Sequence, residues 1–188
     1  DADGFAATPA TANAIAGAYA VIVRVGGVAQ AAVFSLTNIA GAPAELEVAG
    51  GGTQSTIVDT AFAAPLLVRV LDSNGNVVPG ATVHYAAPSV SSSATLSASA
   101  ALANVSGITT ITASANTVAG SYDVIATLEG ASAPVAFALA NRAGTPVALA
   151  VDPASTPQAA RVATALVRPL GVTVTDVFGN GVPQITVT

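Results

Sequence analysis

The sequence predicts an all-β protein made of tandem Greek-key β-sandwich repeats, one complete and two partial. A block of sequence occurs twice without a gap, so that Tyr19 and Phe34 recur as Tyr122 and Phe137, 103 residues later. A period of this length is one whole domain and is too long for one turn of a solenoid. Short stretches rich in Val, Ile, Leu and Ala are separated by turns of Gly, Pro, Asn and Ser, with no sustained helical period.

The two copies set the predicted domain boundaries. We expect residues 1–40 to be the C-terminal half of one repeat, residues 41–143 a complete repeat, and residues 144–188 the N-terminal half of the next. Later in the repeat, Asp72 recurs as Asp176, 104 residues on, so one residue has been inserted in a loop between the positions of Val48 and Val58. The linkers, residues 38–43 and 141–146, are short and carry one Pro and one Gly each. They predict an extended, stiff rod.

Turn clusters and apolar alternation place the strands in order. Before the first linker, residues 5–12, 19–25 and 31–38 predict strands. The complete repeat predicts seven, at residues 44–48, 65–72, 81–86, 94–98, 107–115, 121–128 and 134–140, and the last segment repeats the first three. The connections are too short for crossover helices, so we expect antiparallel pairing.

Composition excludes several classes of function. Charged residues are 8% of the chain, the five arginines are scattered, and the net charge is −5, which argues against a nucleic-acid partner. The hydrophobic fraction of 52% is broken by Gly, Pro and Thr, so no membrane insertion is expected in this segment. With no cysteine there are no disulfides, thiolate metal sites or cysteine nucleophiles. So few charges indicate a surface that is partly covered in a larger assembly.

The predicted half-repeats leave sandwich halves open at both ends. An open sheet with an uncovered apolar face is unstable. We therefore expect each end to be completed by more of its own chain or by a head-to-tail copy of the same molecule. The absence of an initiating Met and of a leader peptide indicates a processed chain or part of a longer one.

The turn motifs resemble those of a known family. The pattern D-x-x-G-N-x-x-P occurs twice, at Asp72, Gly75, Asn76 and Pro79 and at Asp176, Gly179, Asn180 and Pro183. Together with the Ala-Gly-x-Tyr turn and the F-x-L-x-N ending, it resembles the signature of bacterial immunoglobulin-like repeats of the invasin and intimin type. The resemblance implies Ig-like domains that act as stalks of large surface adhesins, extracellular and without catalysis. It also implies that Tyr19 and Tyr122 are tyrosine-corner residues whose hydroxyls bond to backbone, with Phe34 and Phe137 as structural residues.

The first motif also looks like the start of a calcium loop, because calcium needs several closely spaced oxygens. The alternative is a hairpin turn in which Asp72 caps backbone amides and Gly75 takes a positive φ. The second copy favours the turn, since Val177 and Phe178 replace two candidate oxygen ligands and no bidentate acid follows. We expect no cofactor.

Catalytic constellations are not evident. His84 is the single histidine, on a strand face opposite its apolar neighbours, and a solvated role is expected. The serines at 91–93 lack a base and an oxyanion site. Glu45 and Glu47 share one strand face, but alanines replace them in the next copy, which indicates an ordinary exposed face.

The sequence therefore favours a structural segment of a secreted bacterial surface protein, an adhesin stalk or an extracellular fibre. The alternative is a carbohydrate- or protein-binding module with a site on the loops at one end of the sandwich. That site needs clustered aromatic or acidic residues, and only Phe178 stands out. An enzyme is the third hypothesis and has the least support.

Overall fold

A computed structural model describes residues 3–187 of the chain. Within this range the backbone is built of β-strands and turns with one short 3₁₀ helix, η1, at Pro153–Ser155. The strands are β1 Gly17–Val23, β2 Ala32–Asn38, β3 Pro43–Gly50, β4 Thr53–Ile57, β5 Leu66–Asp72, β6 Thr82–Ala86, β7 Ala94–Leu96, β8 Ala100–Leu102, β9 Ile108–Ile111, β10 Ala113–Ala115, β11 Gly120–Thr127, β12 Val135–Arg142, β13 Ala148–Val151 and β14 Val172–Thr175. The all-β prediction is confirmed.

Strands β3 to β12 form a sandwich of two layers. One layer is a five-stranded sheet in the order β4-β12-β11-β6-β8, and the other contains the three-stranded sheet β3-β5-β9 and the pair β10-β7. Alternate residues point inward, as the two-residue period of a strand requires. Thus Leu66, Val68 and Val70 of β5 are completely buried, as are Val124 of β11 and Phe137 of β12. These side chains form one hydrophobic core.

The chain changes layers between β3 and β4. Gly51 makes this possible, because its φ is +72° and a Cβ there would lie 2.2 Å from the carbonyl oxygen of Pro65. Beyond it, β4 pairs parallel with β12, from Thr53 opposite Ala138 to Ile57 opposite Arg142. The expectation of antiparallel pairing throughout was therefore wrong at this pair. The strand that crosses from one layer to the other keeps its direction, so it meets β12 without a tight turn.

The hairpins at the two ends differ in burial from the complete sandwich. β1 and β2 pair from Gly17 opposite Asn38, in the register of β11 and β12, where Gly120 lies opposite Asn141. Yet Phe34 is 56% exposed, whereas Phe137, its copy in the complete repeat, is 0% exposed. At the other end, β13 and β14 pair over four residues. Neither hairpin is covered by a second layer within the described part of the chain.

Several predicted strand limits were wrong. Residues 5–12 form no strand; the equivalent residues 108–115 pair with β5 and β7, whereas no strand within residues 3–187 pairs with residues 5–12. The complete repeat has ten strands in place of the seven predicted, because residues 107–115 divide into β9 and β10 and because β4 and β8 were missed. Those two are short: β4 is Thr-Gln-Ser-Thr-Ile and β8 is Ala-Ala-Leu, and neither shows a clear apolar alternation. The last segment has two strands in place of three.

The Gln54 side chain stabilises the loop where the chain changes layers, and its copy Gln158 shows where the extra residue is inserted. Both ends of the Gln54 side-chain amide are bonded: its Nε2 donates to the carbonyl oxygens of Gly51 and Ala64, and its Oε1 accepts from the Ala64 nitrogen. Gln158 makes the same three bonds, with Ser155 and Arg168. Ser155 therefore corresponds to Gly51. The extra residue lies within residues 152–154, which replace residues 49–50.

Candidate functional site: two hydrogen-bonded joints

The first motif begins with a turn at the end of β5. Asp72 Oδ1 accepts hydrogen bonds from the backbone nitrogens of Asn74 at 2.8 Å and Asn76 at 2.9 Å. Gly75 has a φ of +78°, a conformation that glycine adopts without the cost that a Cβ would add. The carboxylate thus closes the hairpin by capping backbone amides, as the turn interpretation describes.

The same two side chains also reach across to the preceding repeat, and we call this contact the first joint. Asp72 Oδ2 accepts from the nitrogen of Gly41 in the linker at 2.8 Å. Asn76 Nδ2 donates to Asp72 Oδ2 at 2.9 Å and to the carbonyl oxygen of Ala14 at 2.9 Å. Asn76 Oδ1 accepts from the Ala16 nitrogen at 2.8 Å. One amide therefore connects the turn to a loop sixty residues earlier.

The second motif makes an equivalent contact, the second joint. Asp176 Oδ2 accepts from the Gly144 nitrogen at 2.9 Å. Asn180 Nδ2 donates to Asp176 Oδ2 and to the carbonyl oxygen of Thr117, each at 2.9 Å. Asn180 Oδ1 accepts from the Ala119 nitrogen at 2.8 Å. The two joints use the same backbone atoms of the preceding loop, although the side chains of those loops differ.

A further asparagine holds the loop that each motif contacts. Asn141 Nδ2 donates to Asn116 Oδ1 at 2.9 Å, and to the carbonyl oxygens of Ser93 at 3.0 Å and Val118 at 3.1 Å. At the first joint, Asn38 makes the equivalent bonds to the Asn13 side chain and to the Ile15 carbonyl oxygen. The hydrogen bonds therefore form a closed ring around each linker, from the end of one strand through the loop and the motif back to the linker glycine.

The acids of both joints stay charged in acidic solution. Asp72 and Asp176 are 2% and 3% exposed. The hydrogen bond from the Asn76 side chain and that from the Gly41 nitrogen lower the pKa of Asp72 to about 2. For Asp176, burial raises the pKa, but the bonds from Asn180 and from the Gly144 nitrogen outweigh it and bring the pKa to about 2. Hydrogen bonds to a carboxylate favour its charged form.

The two equivalent tyrosines, Tyr19 and Tyr122, lie in different surroundings. The Tyr122 hydroxyl donates to Asn141 Oδ1 at 2.9 Å, and burial raises the pKa of Tyr122 to about 12. The expected bond to backbone was wrong for this residue, since its acceptor is the side chain that holds the joint loop. Tyr19 is 40% exposed in the open hairpin.

The two prolines of the motif occupy similar positions. Pro79 and Pro183 are exposed, and the residue after each has a positive φ, +75° at Gly80 and +59° at Gln184. Gly179 repeats the conformation of Gly75, with a φ of +85°.

Titratable residues do not converge anywhere in residues 3–187. No group of three or more His, Asp or Glu side chains in this range could hold a metal ion. At the position suspected of binding calcium, the Asn76 amide hydrogen-bonds both to the Asp72 carboxylate and to the neighbouring loop. His84, Glu45 and Glu47 are exposed, as the sequence predicted. Phe178 is 45% exposed and is the only aromatic residue in the sequence of residues 144–188.

Comparison with known proteins identifies the family of the two-layer sandwich. Residues 48–139 match the family model described as "Bacterial Ig-like domain (group 1)". This part of the chain is a bacterial Ig-like domain. The resemblance inferred from the motifs is confirmed. No curated protein matches the chain in sequence.

Solved structures of Ig-like proteins share the fold over most of the chain. The Escherichia coli adhesin FdeC is 20% identical with a TM-score of 0.55, over 89% of this chain and 53% of its own. Yersinia pseudotuberculosis InvD is 20% identical with a TM-score of 0.54, over 92% and 53%. Invasin, described as a bacterial integrin-binding protein, is 20% identical with a TM-score of 0.53, over 93% and 35%. The chain thus spans about half of the first two structures.

The sequence reasoning did not assign a structural role to four asparagines and two glutamines that hold the loops. Asn13 and Asn38 recur as Asn116 and Asn141 at the period of the repeat, and Gln54 recurs as Gln158. Recurrence of polar residues in an otherwise variable Ala-rich sequence was the signal that could have marked them.

No helix within residues 3–187 is long and apolar enough to span a membrane.

Proposed function

We propose that this chain is a structural segment of a bacterial surface adhesin or extracellular fibre, in which the joints fix the orientation of each Ig-like repeat relative to the next. The array then acts as a stiff spacer that holds or connects other parts of the assembly. The chain does this without catalysis and without a cofactor. Its partners are the neighbouring repeats of the same chain or head-to-tail copies of it.

The observation that carries this proposal is the repetition of the joint. Both joints use an Asp, an Asn, a linker glycine and the same two backbone atoms of the preceding loop, at distances of 2.8–2.9 Å. Each Asp is buried and accepts charge-assisted hydrogen bonds, which are stronger than neutral ones. An identical contact at successive junctions gives identical geometry along the array.

The second linker has almost no freedom of its own. Strand β12 continues to Arg142, whose carbonyl oxygen accepts from the Val58 nitrogen at 2.8 Å. Two residues later, the Gly144 nitrogen is bound to Asp176. Only Ala143 lies between these two fixed points. A flexible tether needs many free backbone dihedrals, and this linker lacks them.

An extracellular location is supported by the family match and by the adhesins that share the fold. Completion of the end hairpins by a further strand layer is supported by their exposed apolar side chains. Tyr19, Val21 and Phe34 are exposed in β1 and β2, whereas the equivalent side chains in β11 and β12 pack in the core or against it. Burial of such a face is favourable by roughly 25 cal/mol per Å².

Distances between spin labels on either side of the second joint would test the proposal. The chain has no native cysteine, so two can be introduced at the exposed residues Thr110 and Thr173 for specific labelling. We expect a narrow distance distribution in the parent chain and a broad one after Asn180→Ala. Asn74→Ala is the matched control, because the Asn74 side chain makes no joint contact, and it should leave the distribution narrow. A broad distribution in the parent chain, or a narrow one in the Asn180 variant, would disprove the proposal.

Trypsin gives a second, independent readout. The chain has five arginines and no lysine, and the Arg142–Ala143 bond lies in the linker, one residue before Gly144. We expect initial cleavage at this bond to accelerate in Asn180→Ala. Arg24 lies in an exposed segment far from the second joint, so its cleavage rate should stay unchanged and serve as the internal reference.

A further inference from the structure

The two joints differ in the residue that follows the asparagine. Asn76 precedes Val77, and Asn180 precedes Gly181. In an Asn-Gly pair the glycine nitrogen can attack the asparagine side chain, because no side chain on the following residue blocks the approach. A β-branched valine at that position hinders it.

We propose that Asn180 is a deamidation site and that its modification releases the second joint irreversibly while the first stays closed. This rests on the proposed function of the joint. The Gly181 nitrogen attacks Asn180 Cγ, the C–N bond of the side-chain amide breaks, and ammonia leaves. Water then opens the resulting succinimide ring to aspartate or isoaspartate. The balance is one water consumed and one ammonia released, with no oxidant or reductant.

The reacting nitrogen is free in the structure. Gly181 lies opposite Thr175 at an isolated bridge whose hydrogen bonds are made by the flanking residues, from Asp176 to Asn180 and from Val182 to Val174. The Gly181 nitrogen itself donates to no described residue. At the other Asn-Gly pair, the Gly75 nitrogen donates to the Asp72 carbonyl oxygen at 3.0 Å.

The closed joint restrains the side chain under attack. Asn180 Nδ2 is held by Asp176 and by the Thr117 carbonyl, and Oδ1 is held by the Ala119 nitrogen. Rotation toward Gly181 breaks these bonds, so the reaction proceeds from the open joint. Each opening therefore carries a chance of permanent release.

The product cannot remake the contact. A carboxylate at position 180 has no N–H to donate to Thr117 or to Asp176, and its charge lies beside the buried Asp176 carboxylate. Like charges at this separation repel, and the Thr117 carbonyl loses its donor. Isoaspartate also lengthens the backbone of the turn.

The chain offers a substitution that blocks the chemistry and keeps the joint. Gly181 has no left-handed φ, and a Cβ there would meet no heavy atom within 4 Å. Gly181→Val therefore copies the first joint without strain. Asn180→Asp supplies the product directly.

The experiment ages the full chain and Gly181→Val in mildly alkaline buffer, maps the fragment that follows Arg161 by mass spectrometry, and measures the label distances between Thr110 and Thr173. We expect Asn180 to deamidate in the parent chain. In Gly181→Val the reaction should be more than about tenfold slower, because the valine side chain shields the nitrogen. The deamidated fraction should show the same broad label-distance distribution as Asn180→Asp. Isoaspartate at Asn180 is the expected signature.

Two results would overturn the inference. One is equal conversion of Asn180 in the parent chain and in Gly181→Val. The other is a narrow distribution in Asn180→Asp. If Asn180→Ala gives a broad label-distance distribution in the same series, the proposed function stands and only this inference fails. If the distribution of Asn180→Ala is narrow as well, both fail.

Discussion

The Asn180 side chain donates a hydrogen bond to the carbonyl oxygen of Thr117 at 2.9 Å, although sixty-three residues separate the two along the chain. The acceptor belongs to the backbone, so the identity of the Thr117 side chain does not enter the contact. The equivalent acceptor at the first joint belongs to Ala14. The asparagine of each joint therefore depends on the backbone conformation of the loop that it contacts and not on the side chains of that loop.

This predicts that Thr117→Ala leaves the second joint closed. The variant keeps the carbonyl oxygen and introduces the residue found at the first joint. We expect the spin-label distribution and the rate of trypsin cleavage at Arg142 to match those of the parent chain. Accelerated cleavage comparable to that of Asn180→Ala would show that the side chain contributes to the contact.

Acid should open the joints only below about pH 4. The pKa of Asp176 in the folded chain is about 2, against 3.8 ordinarily. A depressed pKa means that the charged form is stabilised by folding, so this stabilisation is complete above about pH 4 and is lost as the pH falls toward 2. We expect a narrow label distribution from neutral pH to about pH 4 and broadening below it.

The control for this acid transition is Asp176→Asn, which cannot titrate. The label-distance distribution of this variant, whether narrow or broad, should not change over the same pH range. Broadening of the parent chain above pH 5 would contradict the assignment of the transition to this carboxylate.

The layer change depends on a glycine at position 51. Gly51→Ala places a Cβ 2.2 Å from the Pro65 carbonyl oxygen in a backbone with a φ of +72°. We expect a loss of at least about 2 kcal/mol in the free energy of unfolding, measured by urea denaturation. Gly26→Ala is the control, since a Cβ there meets nothing within 4 Å, and it should change stability by less than about 0.5 kcal/mol.

The two copies of one phenylalanine should differ in their contribution to stability. Phe137 is 0% exposed and packs in the core, with its ring 6.4 Å from that of Tyr85. Phe137→Ala should lower the free energy of unfolding by about 3–5 kcal/mol. Phe34 is 56% exposed in this chain, and Phe34→Ala should cost less than about 1 kcal/mol. Equal losses would show that the β1–β2 face is covered in solution.

The sequence by itself determined the fold class, the period of the repeat and the chemistry of the turns. Alternation along a strand, the Asp cap and the positive φ of Gly75 and Gly179 are local properties, set by neighbours within a few residues. A repeated block also doubles the evidence for each local pattern. For this reason the β-sandwich and the hairpin interpretation of Asp72 followed from the residues alone.

Only the tertiary structure decided what Asn76, Asn141 and Asn180 contact and that β4 pairs parallel with β12. These contacts join residues that are far apart in sequence, and they depend on how one sandwich meets the next and how a strand crosses between layers. An asparagine in a turn carries the same local signal whether its amide faces water or a neighbouring backbone. The physical reason is that a hydrogen bond is fixed by the position of both partners, and the second partner is supplied by the packed fold.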